Sequence, residues 1–153
     1  MTLVYDNLVI YGKGPISFKP AGAFQKVDPG NDTIVDYDSY LSSVAVPTPT
    51  AENYILADST LSGLVAGQEK KILLTATGGG AANLAVPSNM EVELGDGQLA
   101  TAFILISVGD FIILQYKGFN KAEDKHSFRL IETGSASGAI LQGNGTNYTV
   151  ANR

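Results

Sequence analysis

The chain has 153 residues, 44% of them hydrophobic and only 16% charged, with 17 glycines, no cysteine, no tryptophan and a formal net charge of −5. That length suits one domain with a real core, while the low charge and abundant glycine argue against disorder and against solvent-exposed helices. Disulfides, thiolate metal sites and cysteine nucleophiles are excluded, an acidic surface disfavours nucleic acid, and the longest apolar run, Ala102 to Ile106, is far too short to cross a bilayer.

In chain order, Leu3-Val4-Tyr5 and Leu8-Val9-Ile10-Tyr11 flank the turn dipeptide Asp6-Asn7 and read as short strands. Asp28-Pro29-Gly30-Asn31-Asp32 is a strong turn, and Thr33-Ile34-Val35 follows as another short strand. Five of the six prolines lie in the first fifty residues, and Val46-Pro47-Thr48-Pro49-Thr50 reads as an extended connector. Residues 1–50 are therefore expected to form an extended N-terminal arm, and residues 51–153 the folded domain.

Beyond the connector, strands are predicted at Asn53–Leu56, Leu61–Val65, Lys70–Ala76 and Asn83–Val86. Met90-Glu91-Val92-Glu93-Leu94 alternates apolar and acidic residues, as a strand with one wet face does. Thr101–Val108 and Phe111–Tyr116 are separated only by Gly109-Asp110, which predicts a hairpin. Asn120–His126 is a short polar stretch, Ser127–Glu132 is a further strand, and Ile140-Leu141 and Tyr148–Val150 close the sheet. Many short strands with glycine turns indicate an all-β fold, expected here as an antiparallel, jelly-roll-like β-sandwich.

The run Gly78-Gly79-Gly80 raises the possibility of a phosphate cradle. Such a loop needs a helix start behind it. Here Ala81-Ala82-Asn83-Leu84-Ala85-Val86 reaches Pro87 too soon, and no Gly-Lys-Ser or Gly-Lys-Thr follows, so the glycines read as a tight reversal or close backbone packing.

Residues with catalytic potential are few. The single histidine, His126, sits among charges in what reads as a solvated loop, without a Gly-x-Ser-x-Gly elbow elsewhere. Asp28, Asp32, Asp36 and Asp38 fall close together, but their spacing fits local turn capping better than a calcium loop. Glu91 and Glu93 share one strand face, a loose likeness to a glycosidase pair, and read as solvated. No catalytic, cofactor-binding or metal-ligating residue is assigned, and the chain is expected not to be an enzyme. Aromatic residues of the arm, Tyr5, Tyr11, Phe18, Phe24, Tyr37 and Tyr40, are the expected interface residues, because amphipathic rings favour surfaces that meet another protein.

The segments Lys71–Ala76, Asn83–Pro87, Gly97–Ile106 and Gly109–Leu114, in this order, resemble modules of bacteriophage and related viral structural proteins found in tail fibres, head fibres and capsid decoration proteins. In those modules a late strand often carries a tryptophan before an aliphatic pair; Phe128-Arg129-Leu130-Ile131 stands in its place here. The resemblance covers residues 54 to 132. It implies a non-enzymatic virion protein, commonly a homotrimer, made in the host cytoplasm. A capsid decoration (cement) protein docking on the major capsid protein is the first expectation. A tail- or head-fibre module that recognises a receptor or glycan is the alternative. Neither a membrane nor a nucleic acid is an expected partner.

Overall fold

Alternation of side chains across each strand builds the core. In the computed structural model, backbone is described for residues 3–5, 8–10, 24–27, 33–56, 59–95, 97–134, 139–144 and 147–152, and side chains for 35–56, 61–95 and 97–134. The strands are β1 (Leu3–Tyr5), β2 (Leu8–Ile10), β3 (Phe24–Val27), β4 (Thr33–Ile34), β5 (Leu41–Val46), β6 (Glu52–Ile55), β7 (Glu69–Thr77), β8 (Ala82–Ala85), β9 (Met90–Glu93), β10 (Leu99–Ala100), β11 (Ala102–Leu105), β12 (Phe111–Asn120), β13 (Lys125–Gly134), β14 (Ala139–Asn144) and β15 (Asn147–Asn152). Among the described residues the only helical element is a 3-10 turn, Ser59–Gly63.

Two sheets account for most of these strands. One has the order β10-β9-β13-β12-β7-β5-β3 and the other β14-β15-β11-β8-β6-β4, while among the described residues β1 and β2 pair with each other alone. Side chains at every second position, such as Val44 and Val46 on β5, Ile72 and Leu74 on β7, and Ile112, Leu114 and Tyr116 on β12, are buried. They form a single cluster with Tyr54, Leu84, Phe103 and Leu105 from the other sheet. The architecture is thus all-β and consistent with a β-sandwich.

The sheets are mixed, which corrects the expectation of antiparallel pairing. Strands β3, β5 and β7 run parallel in one sheet, and β4, β6 and β8 run parallel in the other. A parallel pair needs a crossover that brings the chain back to its starting end. Here the crossover is a strand of the opposite sheet: β3–β4, β5–β6 and β7–β8 are three successive rungs of one flattened coil.

Residues 47–51 and 78–81 are neighbouring corners of that coil. The ladder between β5 and β7 continues through them, with Gly78 N donating to Val46 O at 2.7 Å, Gly80 N to Thr48 O at 3.0 Å and Glu52 N to Ala81 O at 3.0 Å. A Cβ on Gly78 would stand 2.3 Å from Pro47 O, and one on Gly80 would stand 2.2 Å from Thr50 O. Close backbone packing is therefore the role of these glycines. The proline-rich connector is one wall of this contact.

Segment 1–50 is not uniform. Residues 41–46 form a strand between β3 and β7, and Val35, Tyr37, Val44 and Val46 belong to the core. The predicted hairpin of Thr101–Val108 with Phe111–Tyr116 is also corrected: β11 pairs with β8 and β15, whereas β12 pairs with β7 and β13. The linking loop closes on itself instead. Asp110 Oδ2 accepts the backbone N–H groups of Ile106 at 3.0 Å and Ser107 at 2.8 Å, so the chain turns from one sheet to the other. Leu61–Val65, expected as a strand, is the end of the 3-10 turn and a loop, with Leu64 N donating to Leu61 O.

Buried polar groups tie the layers together. Tyr54, fully buried on β6, donates its hydroxyl to Ala45 O of the opposite sheet at 2.5 Å. Burial, Glu52 and then the opposing Ala45 contact together leave that hydroxyl's pKa raised. Tyr37 donates to Leu56 O at 2.6 Å. On β7, Lys70 points inward and donates to Ser39 O at 2.8 Å, while Lys71, on the opposite face, lies over the ring of Phe111 at 4.3 Å.

Candidate functional site

The end of the β12–β13 hairpin is built to hold its side chains in place. Asn120 Oδ1 accepts from Ala122 N at 3.1 Å and more weakly from Glu123 N at 3.4 Å, closing the turn by a local side-chain contact. On the turn's far side the backbone of His126 is fixed by donation to Asn89 O at 2.9 Å. The pairing slips between Tyr116 and Gly118, and Gly118 has a φ of 123°, a left-handed value that glycine adopts without strain. A bulge of this kind re-aims the residues beside it. Beyond it Phe119 is 47% exposed and sits directly across from His126.

Four rings cluster there. Tyr116 is buried against Phe128, with ring centres 5.1 Å apart, and its hydroxyl lies 2.9 Å from Nδ1 of His126. Burial raises the Tyr116 hydroxyl pKa, so it stays protonated at neutral pH. The imidazole is 5.0 Å from the Phe119 ring at 59°, a tilted arrangement that aromatic quadrupoles favour. His126 thus lies on a strand inside an aromatic cluster, which corrects its expected place in a solvated loop.

The opposite wall is the turn from Leu64 to Gln68. Gly67 N donates to Tyr116 O and Tyr116 N donates to Gln68 O, both at 2.8 Å, so floor and wall are pinned at one residue. Between them runs an open groove of about 650 Å3 that includes Leu64, Val65, Tyr116, Gly118, Phe119 and His126. Among the described residues none of the groove's lining side chains is an acid, a lysine or an arginine.

A smaller cleft of about 240 Å3 on the same hairpin is lined by Glu93, Lys117 and Arg129. Lys117 Nζ donates to Glu93 Oε2 at 2.5 Å. This hydrogen bond and the lysine charge hold the Glu93 carboxyl below its ordinary 4.5, against opposing desolvation and with a lesser contribution from Arg129. Glu91 accepts weakly from Asn120 Nδ2 at 3.4 Å. A glycosidase acid needs its pKa raised, and Glu93 shifts the other way. Its ion pair stabilises the fold above pH 4.5 and loses that effect as the pH falls through the lowered folded value. Glu93→Gln is expected to reduce the melting temperature slightly at neutral pH and low salt. The difference should vanish at strongly acidic pH or in about 1 M salt, checked by thermal denaturation in paired buffers.

Compared with models of known protein families, with curated proteins and with solved structures, the chain shows no significant match.

The expected interface residues do not converge among the described side chains. Tyr37 is 2% exposed and packs on Phe128 at 5.5 Å, inside the core of its own subunit. Tyr40 is 43% exposed, its hydroxyl raised by partial burial and by Glu69 and Glu132. Tyr5 and Phe24 lie on β1 and β3, whose side chains are outside the described set, and Tyr11 and Phe18 lie outside the described residues. Of the acidic group, Asp36 Oδ1 accepts from Asp38 N at 3.1 Å and Ser39 Oγ at 3.3 Å, the local capping expected of it. Asp28 and Asp32 lie outside the described residues. Among the described residues no group of three or more His, Cys, Asp or Glu side chains is placed to hold a metal ion.

Proposed function

We propose that this chain is a non-enzymatic structural protein of a virus particle, most specifically a capsid decoration protein that docks on the major capsid protein and reinforces the shell. The observation that carries this reading is the hairpin of β1 and β2, which among the described residues is hydrogen-bonded to neither sheet. A lone two-stranded hairpin is marginal in water, so it gains most by packing on a partner. Burial of apolar area at about 25 cal/mol per Å2, repeated over many copies on a shell, turns weak docking into firm attachment.

In this reading the extended arm is the part of residues 1–50 that precedes Phe24, because β3 and the strands after it are built into the sheets. The jelly-roll-like description of the body belongs to the same proposal; its support is the way successive strands alternate between two facing sheets. The subunit works as a homotrimer on the virion surface.

Cosedimentation with particles assembled from a major capsid protein of the same virus tests the idea. Full-length protein is expected to pellet with the particles, and a variant lacking residues 1–10 to remain largely in the supernatant. Equal pelleting of the two, or none by either, refutes the docking role.

A second reading, a fibre-type module that recognises a receptor or glycan, is favoured by one observation, the exposed Phe119 ring beside an open, uncharged groove.

A further inference from the structure

The groove at the β12–β13 hairpin selects for a particular chemistry. Phe119 is turned outward beside a left-handed glycine, and both walls are pinned through the backbone of Tyr116. Such a site is formed before any ligand arrives, which lowers the entropy lost on binding. Its volume of about 650 Å3 lies in the range of small-ligand sites, roughly 300–1,000 Å3.

The lining sets three requirements on an occupant. Among the described residues the groove holds no acid, lysine or arginine, so no fixed charge there pairs with a charged ligand and a neutral one fits. Leu64, Val65 and Phe119 present apolar surface, so it has a flat apolar face. The imidazole of His126 uses Nδ1 on the Tyr116 hydroxyl at 2.9 Å, which leaves Nε2 to the ligand. If the tyrosine donates to Nδ1, Nε2 carries the proton and donates; if Nδ1 donates, Nε2 accepts. A hydroxyl group serves either tautomer. A sugar ring meets all three conditions, with C–H groups on one face and hydroxyls around its rim.

We propose that this groove binds a neutral sugar residue, its C–H face stacked on Phe119 and one hydroxyl hydrogen-bonded to Nε2 of His126. The proposal rests on the second reading above, glycan recognition, and is independent of capsid docking. Phe119 and His126 set specificity; Tyr116 forms part of the groove and positions the imidazole.

The test uses the full chain on an array of neutral oligosaccharides built from hexoses and N-acetylhexosamines, with their sialylated counterparts beside them. The strongest neutral ligand is then titrated against the parent protein, Phe119→Ala and Val108→Ala. Val108 is 52% exposed on the loop before β12 and controls for loss of any surface apolar group. The expected result is binding of neutral oligosaccharides that weakens at least tenfold in Phe119→Ala and is unchanged in Val108→Ala, with all three proteins melting alike. Binding that survives Phe119→Ala overturns the groove assignment while glycan recognition stands. A preference for sialylated ligands overturns the neutral-ligand requirement. Absence of binding to every oligosaccharide overturns both the site and the glycan reading, and leaves capsid docking to its own experiment.

Discussion

Alanine at Gly80 is expected to cost about 3 kcal/mol or more of stability. Its Cβ would stand 2.2 Å from Thr50 O and 2.9 Å from Thr48 O. Both obstacles are backbone, so no rotamer change relieves the contact. The two corners would have to separate, and with them the bonds from Gly78 N to Val46 O and from Gly80 N to Thr48 O. Gly63→Ala is the control, since a Cβ there meets nothing within 4 Å, and it should shift stability by no more than about 0.5 kcal/mol. Urea unfolding followed by far-ultraviolet circular dichroism measures both. A Gly80→Ala protein as stable as the parent would show that the corners do not touch as described.

Tyr54→Ala is expected to be at least as damaging, at about 4 kcal/mol, because it removes a large side chain with no exposure from the middle of the core. Tyr54→Phe separates the two roles of that residue. Phenylalanine keeps the ring and loses only the hydroxyl bond to Ala45 O at 2.5 Å, which ties β6 to β5 across the layers. That loss should be about 1 kcal/mol. The ratio between the two variants, read from their urea midpoints, reports whether ring packing or the cross-layer bond holds the rungs together. Equal losses would mean that the hydroxyl, not the ring, is the dominant contribution.

Three strands were legible in the sequence: Met90–Leu94 by its alternation of buried and wet positions, and Lys70–Ala76 and Ser127–Glu132 by their apolar content. They lie on β9, β7 and β13 within a residue or two. Strand β5 escaped notice because Ser42 and Ser43 blur the pattern in Leu41–Val46, although Ser42 is fully buried. The surrounding prolines made the whole stretch look like an arm. At Leu61, Leu64 and Val65 the apolar spacing of three and four residues belongs to a helical turn, which a reading by hydrophobic content alone takes for a strand. The Gly109-Asp110 turn was recognised, but its partners were not. Whether two flanking strands pair with each other or part into different layers depends on what else reaches them, here the Asp110 carboxylate and the neighbouring β7.

The groove was harder to see. Phe119 and His126 are separated by six residues and become neighbours only if Asn120–Lys125 is read as a hairpin turn. The capping role of Asn120 and the left-handed Asp124, with φ 55°, are the local signs that favour that reading. The wall from Leu64 to Gln68 is brought in by long-range hydrogen bonds, for which no local pattern exists.

The three rungs also set the order in which the molecule can assemble. Each lies beside the previous one, so Phe24 meets Leu41, and Leu41 meets Lys71, contacts that close only modest loops of chain. In contrast, Ala102 must wait for Asn147 to align β11 with β15, across a longer stretch of chain. Loop-closure entropy makes such distant partnerships slower to form. The coil is therefore suited to zipper up as a nucleus from one end, as stacked repeats do, with the last strands docking onto a surface that already exists.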